Sequence, residues 1–194
     1  MESSLQRTVA VLLGMGSLLF LVAAFLPYSR VFTESAVEKR LDIILEMRKM
    51  WNIGQFLFGL GAVVTVLALG IQSYGFRQIA FARWSHLGVL LMAVGAIFWC
   101  WHLVDRTMDP EAFVRNLNTP YLFAVYSVLT QFGLAMIGIM LLRTEVANWV
   151  AWMFIIGSGV FLVLMIIFRD MPPFVYYVLT LIAAVVLFMG ADKG

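Results

Sequence analysis

Residues 149–168, WVAWMFIIGSGVFLVLMIIF, form an apolar stretch of 20 residues without a single charged side chain. A helix needs about 20 apolar residues to cross the hydrocarbon core of a bilayer, so this stretch predicts a membrane-spanning helix. Five other stretches have similar length and composition. The six predicted spans are residues 8–27, 53–72, 84–103, 120–142, 149–168 and 172–189. We therefore expect the 194 residues to form a single all-α domain, a six-helix transmembrane bundle.

The composition of the chain supports the same fold class. Hydrophobic residues make up 63% of the sequence and charged residues 12%, against about 25% charged residues in ordinary soluble domains. The formal net charge of +2 is too small for a nucleic-acid-binding protein, so the lipid bilayer is the expected surrounding. The first span is longer than the apolar core of a signal peptide and lacks a small-residue cleavage site. It is predicted to stay in the protein as a signal anchor.

The loops between the spans differ strongly in length. The first and third loops, residues 28–52 and 105–119, are long and highly charged, whereas the second and fourth are short links. Six spans place the first, third and fifth loops on one face of the membrane and both termini on the other. A plain count of basic residues favours an external N-terminus. However, the basic residues of the long loops are matched by acids, whereas Arg77, Arg83 and Arg143 lie in short loops with few acids. We therefore expect cytoplasmic termini.

The first loop is predicted to contain an interfacial amphipathic helix over residues 35–50. Ser35-Ala36-Val37-Glu38 has the spacing of a capping box, which is typical of a helix start. Apolar residues then recur at helical spacing on one face, and acidic residues occupy the opposite face. The apolar set is Val37, Leu41, Ile44 and Leu45, and the acidic set is Glu38, Asp42 and Glu46. Such a helix lies on the bilayer surface as a lid or an anchor. Trp51, at the start of the second span, is predicted to be an interfacial aromatic anchor.

The interior of the spans is neutral. No charged residue lies near the middle of a span, which disfavours an ion-coupled transporter. Among the neutral polar residues at this depth, Gln131 is the most demanding, because its amide has two donor hydrogens and an acceptor to satisfy. Tyr126 lies about one turn away. Two interpretations stay open: Gln131 joins helices through hydrogen bonds, or it lines a pocket that recognises an apolar ligand through one polar group.

A second polar group is predicted at the charged face of the membrane. His102, Asp105 and Arg106 occupy positions i, i+3 and i+4, so they share one side of the end of the third span. A solvated helix end, with an arginine at the negative end of the helix dipole, has the same pattern. The functional interpretation is a ligand-binding site between mid-depth and this face. Its predicted residues near mid-depth are Gln131 and Tyr126. Those at the rim, near the charged face, are His102, Asp105, Arg106 and Arg169.

Catalytic, metal and cofactor sites are not indicated by the sequence. His86 and His102 are 16 residues apart on one span, about 24 Å along a helix axis, so they cannot hold one haem iron within a chain. One enzyme hypothesis arises from Asp105 and Asp109, which have D-x-x-x-D spacing. With the acidic residues of the first loop they suggest a metal-dependent enzyme that acts on a lipid phosphate or diphosphate. The flanking residues of such enzymes are missing, which favours a non-enzymatic role.

Three segments of the chain carry a resemblance to known proteins. The first is Trp51-Asn52-Ile53-Gly54-Gln55, at the start of the second span. The second is Thr119-Pro120-Tyr121-Leu122-Phe123 with Tyr126 and Leu129-Thr130-Gln131, in the fourth span. The third is Asp170-Met171-Pro172-Pro173-Phe174-Val175-Tyr176-Tyr177, at the start of the sixth span. In these segments the chain resembles small bacterial polytopic membrane proteins of unknown function. The resemblance implies their architecture and a place in the bacterial inner membrane, and it names no reaction.

The function expected from the sequence is a binding, sensory or accessory role that engages a lipid-soluble ligand or a partner membrane protein. Two other classes stay open, the lipid-phosphate enzyme and a neutral-solute transporter. An internal repeat relating the first three spans to the last three would favour the transporter. No such repeat is visible, because the long charged loop after the first span has no counterpart after the fourth.

Overall fold

The computed structural model describes residues 3–78, 82–117, 120–144, 148–167 and 173–191. Within these ranges the chain is helical and contains no strand. The helices are α1 (Ser3–Ala24), a 3-10 helix (Pro27–Phe32), α2 (Val37–Glu46), α3 (Arg48–Gly75), α4 (Ala82–Met108), α5 (Pro110–Val114), α6 (Pro120–Leu141), α7 (Asn148–Ile167) and α8 (Phe174–Ala191). Six of them, α1, α3, α4, α6, α7 and α8, are long and apolar enough to cross a membrane. The predicted six-helix transmembrane bundle is confirmed.

The second and third spanning helices extend beyond the predicted spans. α3 begins at Arg48, before the predicted start at residue 53, and α4 continues past residue 103 to Met108. These helices contain 28 and 27 residues, which is about 40 Å of helix against a hydrocarbon core of about 30 Å. The extra turns at the start of α3 and at the end of α4 adjoin the two long loops.

The six spanning helices pack as a ring in the order α8, α1, α3, α4, α6, α7. The pairs α1 with α3 and α4 with α6 pack most extensively, and the contact of α7 with α8 that closes the ring is small. Glycines allow the close pairs. A Cβ on Gly16 would lie 2.8 Å from the backbone nitrogen of Thr65, and one on Gly88 would lie 2.6 Å from the carbonyl oxygen of Gly133. Small residues are the usual means of close helix packing in membranes, where lipid tails are as apolar as leucine.

Aromatic side chains join helices across the ring. The Phe20 ring of α1 stacks on Tyr177 of α8 with 3.6 Å between centroids, and Trp99 of α4 stacks on Tyr126 of α6 at 4.7 Å. The hydroxyls of Tyr126 and Tyr177 share a hydrogen bond of 2.8 Å. Phe58 of α3 contacts both Phe20 and Trp99. The tyrosine pair links α6 to α8, and the Phe20 and Trp99 rings, with 6.0 Å between centroids, link α1 to α4; these helices are not neighbours in the ring.

The helix predicted between the first two spans is present, but it is shorter and starts differently. It covers Val37–Glu46 and ends at Met47, whose φ of −109° and ψ of 30° are not helical. The predicted capping box is wrong. Ala36, and not Ser35, is the N-cap, and no side chain caps the helix; the amide of Ala36 donates to the carboxylate of Glu34 at 3.0 Å. That hydrogen bond holds the pKa of Glu34 below its ordinary value.

The apolar face of α2 is only partly the predicted one. Ile44 is fully buried and Leu41 is half-buried, whereas Leu45 is 57% exposed. Trp51 is not an interfacial anchor, because its side chain is completely buried. The exposed tryptophans near the ends of α4 and α7 have the positions of an aromatic belt. They are Trp84, Trp101, Trp149 and Trp152.

The long loops meet in one structure that covers the ends of α3 and α4. We call the 3-10 helix, α2 and α5 together the cap. α2 packs against both other elements of the cap, and Ile44 and Val114 are fully buried there. The Arg40 Nη1 donates to the carbonyl oxygen of Val114 at 3.4 Å, and the Arg48 Nη2 donates to that of Thr107 at 2.7 Å. These bonds tie the first loop to the third.

Candidate functional site

Arg106 lies in the last turns of α4, directly under the cap. It is the only buried Lys, Arg, Asp or Glu in the part of the chain that the structure describes, with 5% of its surface exposed. Its guanidinium carbon lies 5.4 to 5.8 Å from the ring centroids of five aromatic side chains. We call Arg106, Gln55 and these five rings the Arg106 cage. The rings are Phe32, Trp51, Phe58, Trp99 and Phe113.

Two facing helices and two elements of the cap position the cage. Trp51 and Phe58 are seven residues apart on α3, and so are Trp99 and Arg106 on α4. Seven residues are two helical turns, so each pair lies on one face of its helix. The other two walls come from the cap, Phe32 from the 3-10 helix and Phe113 from α5. The cage therefore exists only when the cap sits on the bundle.

Gln55 provides the hydrogen bond that orients Arg106. The Arg106 Nε donates to the Oε1 of Gln55 at 2.6 Å, and Gln55 is 3% exposed. The two Nη nitrogens form no hydrogen bond with any described residue, and no carboxylate of these residues forms an ion pair with Arg106. The guanidinium is always charged in proteins. Among the described residues, this positive charge therefore contacts aromatic rings and one neutral amide oxygen.

Tyr28 lies near Arg106 and is not its counter-ion. Burial raises the pKa of the Tyr28 hydroxyl well above its ordinary value, and the positive charge of Arg106 only partly opposes this shift. Tyr28 is therefore a neutral phenol at physiological pH. Its hydroxyl donates to the carbonyl oxygen of Ala23 at 2.7 Å, and its ring packs on Gly54, where no Cβ fits.

The cage has more hydrogen-bond donors than acceptors. The Nε1 atoms of Trp51 and Trp99 and the Nε2 of Gln55 are buried without an acceptor among the described residues. An indole nitrogen only donates, and the single acceptor atom of Gln55 already binds Arg106. A buried donor without a partner costs about 1–3 kcal/mol. The protein therefore contributes hydrogen-bond donors and a positive charge to the cage, and few acceptors.

The structure brings together two of the predicted rim residues. His102 is buried one turn before Arg106 on α4, as the i, i+4 spacing predicts, and its ring contacts Trp99 at 5.7 Å between centroids. Its Nδ1 has no hydrogen-bond partner among the described residues. Asp105 is half-buried on the same helix. Arg169 lies outside the described residues.

The two predicted residues on α6 lie at different depths. Tyr126 is level with Trp99, on which it stacks, and is 3% exposed. Gln131 is 2% exposed, and its Oε1 has no partner among the described residues. Since Gly133 meets Gly88, Gln131 is level with about residue 90 of α4, about 15 to 18 Å along the helix axis from His102. Gln131 and His102 do not form one site.

Most of the cage is not predictable from the sequence. The sequence indicates Arg106 as a rim residue, but it marks neither Gln55 nor any of the five rings as ligand-binding residues. The spacing of Trp51 with Phe58 and of Trp99 with Arg106 was a visible signal of two apolar faces. No comparable signal marks Phe32 and Phe113, which lie in irregular loop sequence.

The acidic residues considered for a metal-diphosphate site have other positions. The Asp109 carboxylate accepts the backbone amide of Ala112 at 2.9 Å as the N-cap of α5. In the described ranges, no three His, Cys, Asp or Glu side chains come close enough together to hold a metal ion.

Comparison of the chain with models of known protein families, with curated proteins and with solved structures gives no match. The fold by itself defines the class as a multi-pass membrane protein with six spanning helices in the described residues.

Proposed function

We propose that this protein is a membrane-embedded binding protein and that it holds a lipid-soluble ligand at the Arg106 cage. The observation that carries the proposal is the buried guanidinium of Arg106, which has aromatic walls, one neutral hydrogen-bond partner and no acidic partner among the described residues. Apolar walls with a few convergent polar groups are typical of small-molecule sites.

The energetics of the cage support a binding role over a purely structural one. An ionised side chain that is buried away from water costs several kcal/mol unless a partner compensates its charge. Cation–π contacts return about 0.5–2 kcal/mol each. Apart from the Nε, which donates to Gln55, the nitrogen atoms of the guanidinium have no hydrogen-bond acceptor among the described residues. A ligand that accepts from these groups would complete the site.

The cap supplies a route for a ligand. α2 has 10 residues and α5 has 5, and helices this short are not stable without tertiary contacts. Segments of this kind open locally at a lower free energy than the spanning helices. Because Phe32 and Phe113 belong to the cap, its opening would uncover two walls of the cage.

We further propose that the protein resides in the bacterial inner membrane with the cap on the outer side. The resemblance to small bacterial polytopic membrane proteins supports the location. The orientation is supported by Arg77, Arg83 and Arg143, which belong to the face opposite the cap.

Native mass spectrometry of the protein purified in a mild neutral detergent tests the binding role. The test variant is Arg106→Met, which keeps the length of the side chain and removes its charge. The matched control is Arg115→Met, because Arg115 is an exposed arginine on the same face that pairs with Glu111 at 3.0 Å and lies outside the cage.

We expect a bound small molecule on the natural protein and on Arg115→Met, and its loss from Arg106→Met. Gel filtration and thermal unfolding in detergent show whether each variant is folded. A folded Arg106→Met protein that keeps the same bound molecules would contradict the proposal. So would a natural protein that binds nothing after incubation with a total membrane lipid extract.

A further inference from the structure

We infer that the ligand is an anionic amphiphile, a carboxylate or phosphate group carried on a hydrocarbon chain. This inference rests on the proposed function and goes beyond it by naming the chemical class of the ligand. It follows from which atoms of the Arg106 cage are left to bind, where the charge lies, and what surrounds the charge.

The free polar groups of the cage are donors. Among the described residues, the indole N–H groups of Trp51 and Trp99 and the amide NH₂ of Gln55 are buried without an acceptor, and Arg106 makes no hydrogen bond through its two Nη groups. The ligand must therefore bring acceptors. An oxyanion has two or three oxygen atoms that accept several hydrogen bonds at once, whereas an alcohol, ester or ketone offers one acceptor atom or a weaker pair.

Gln55 also determines which edge of the guanidinium faces the ligand. Because Gln55 occupies the Nε of Arg106 at 2.6 Å, the remaining donors are the paired Nη groups at the end of the side chain. This end binds carboxylate and phosphate oxygens through two parallel hydrogen bonds, which makes such contacts stronger and more specific than single ones. A lysine would present a point charge instead of this fork.

The charge of the cage selects against neutral and cationic ligands. Tyr28 is neutral, and no described carboxylate compensates Arg106. A neutral ligand leaves the buried charge uncompensated, and a cation adds a second positive charge. An anion compensates the positive charge of Arg106, and the attraction between the two charges is strong because the surroundings have a low dielectric constant. The five rings and the adjacent bilayer provide the surroundings for an apolar chain, which makes the complete ligand an amphiphile.

Fluorescence quenching by brominated lipids tests this inference, because Trp51 and Trp99 are walls of the cage. The exposed tryptophans would report on lipid around the protein, so they are first replaced by phenylalanine. These are Trp84, Trp101, Trp149 and Trp152. The probes are dibromostearic acid at pH 8, where its carboxyl group is ionised, and its methyl ester. The two molecules share the hydrocarbon chain, and their head groups are an ionised carboxylate and a neutral methyl ester.

We expect saturable quenching by the acid. The ester should bind at least about tenfold more weakly, because the loss of one hydrogen bond between charged groups lowers the affinity by more than that factor of ten. Arg106→Met should abolish saturable quenching by the acid, Arg106→Lys should retain part of it, and Arg115→Met should leave it unchanged. The comparison of acid with ester needs no variant at position 106, so it stands even if that variant unfolds.

Competition experiments identify the source of the oxyanion. Dodecyl phosphate and phosphatidic acid are added separately to the complex with dibromostearate. Displacement by dodecyl phosphate alone indicates a free single-chain amphiphile, and displacement by phosphatidic acid indicates the head group of a bilayer lipid. Both results support the inference.

Equal binding of the acid and the ester, or no binding of the acid, would overturn the inference that the ligand is anionic. If Arg106→Met still lost its bound molecule in mass spectrometry, the binding role would stand with a neutral ligand. If no bound molecule depended on Arg106, the proposed function would fall as well.

Discussion

Two glycines in α1 give a sharp test of the helix packing, because they lie two residues apart and face different surroundings. A Cβ on Gly14 would meet the Cβ of Ala184 at 3.6 Å, an ordinary van der Waals contact. A Cβ on Gly16 would lie 2.8 Å from the backbone nitrogen of Thr65 and 3.0 Å from the carbonyl oxygen of Gly61. These are backbone atoms of α3, which a rotamer change cannot move away.

The expected effect follows from two opposing terms. Alanine in place of glycine in a helix interior stabilises by about 0.5–1 kcal/mol, and this gain applies to both positions. Overpacking a tight contact costs about 1–3 kcal/mol, and it applies only to Gly16→Ala. The free energies of unfolding of the two variants should therefore differ by about 1–3 kcal/mol, with Gly14→Ala the more stable. Gly61→Ala should behave like Gly16→Ala, because its Cβ would lie 2.8 Å from the carbonyl oxygen of Gly16.

Reversible unfolding in mixed micelles with increasing dodecyl sulfate, followed by circular dichroism, measures these differences. Equal stability of Gly14→Ala and Gly16→Ala would refute the reasoning, because it would mean that α1 and α3 do not approach each other at Gly16.

Two other predictions concern topology and one interhelical hydrogen bond. In a Cys100→Ala background, Ser35→Cys and Asn116→Cys should react equally with an impermeant maleimide added to intact cells, and Gln78→Cys should react only after lysis; unequal labelling of the first two would contradict the six-span topology. All three of these side chains are exposed. The hydroxyls of Ser17 and Thr180 lie 2.8 Å apart between α1 and α8. A double-mutant cycle with Ser17→Ala and Thr180→Val should give a coupling of about 0.6 kcal/mol in unfolding free energy, and a coupling near zero would argue against this bond.

The sequence predicted the six membrane-spanning helices correctly. Hydropathy over about 20 residues is a property of one segment, and a segment in lipid must satisfy its own backbone hydrogen bonds by forming a helix. The fold class therefore followed without knowledge of any contact. The apolar pattern between the first two spans predicted a helix for the same reason. Its predicted start was wrong because a capping box needs Ser35 at the N-cap, whereas the backbone angles place Ala36 there, where no side chain caps the helix.

The candidate site depended on contacts between distant segments. From the sequence, Arg106 is a cation at a helix end, where water is the expected neighbour. It is buried because α3 and α4 extend beyond the predicted spans and because Phe32 and Phe113, from two different loops, fold over it. Trp51 illustrates the same limit, since an interfacial anchor and a fully buried wall have the same local sequence. The sequence by itself determined the environment, the number of spans and the loops that share a face. Only the tertiary structure decided which polar groups leave water, because burial depends on what packs from elsewhere in the chain.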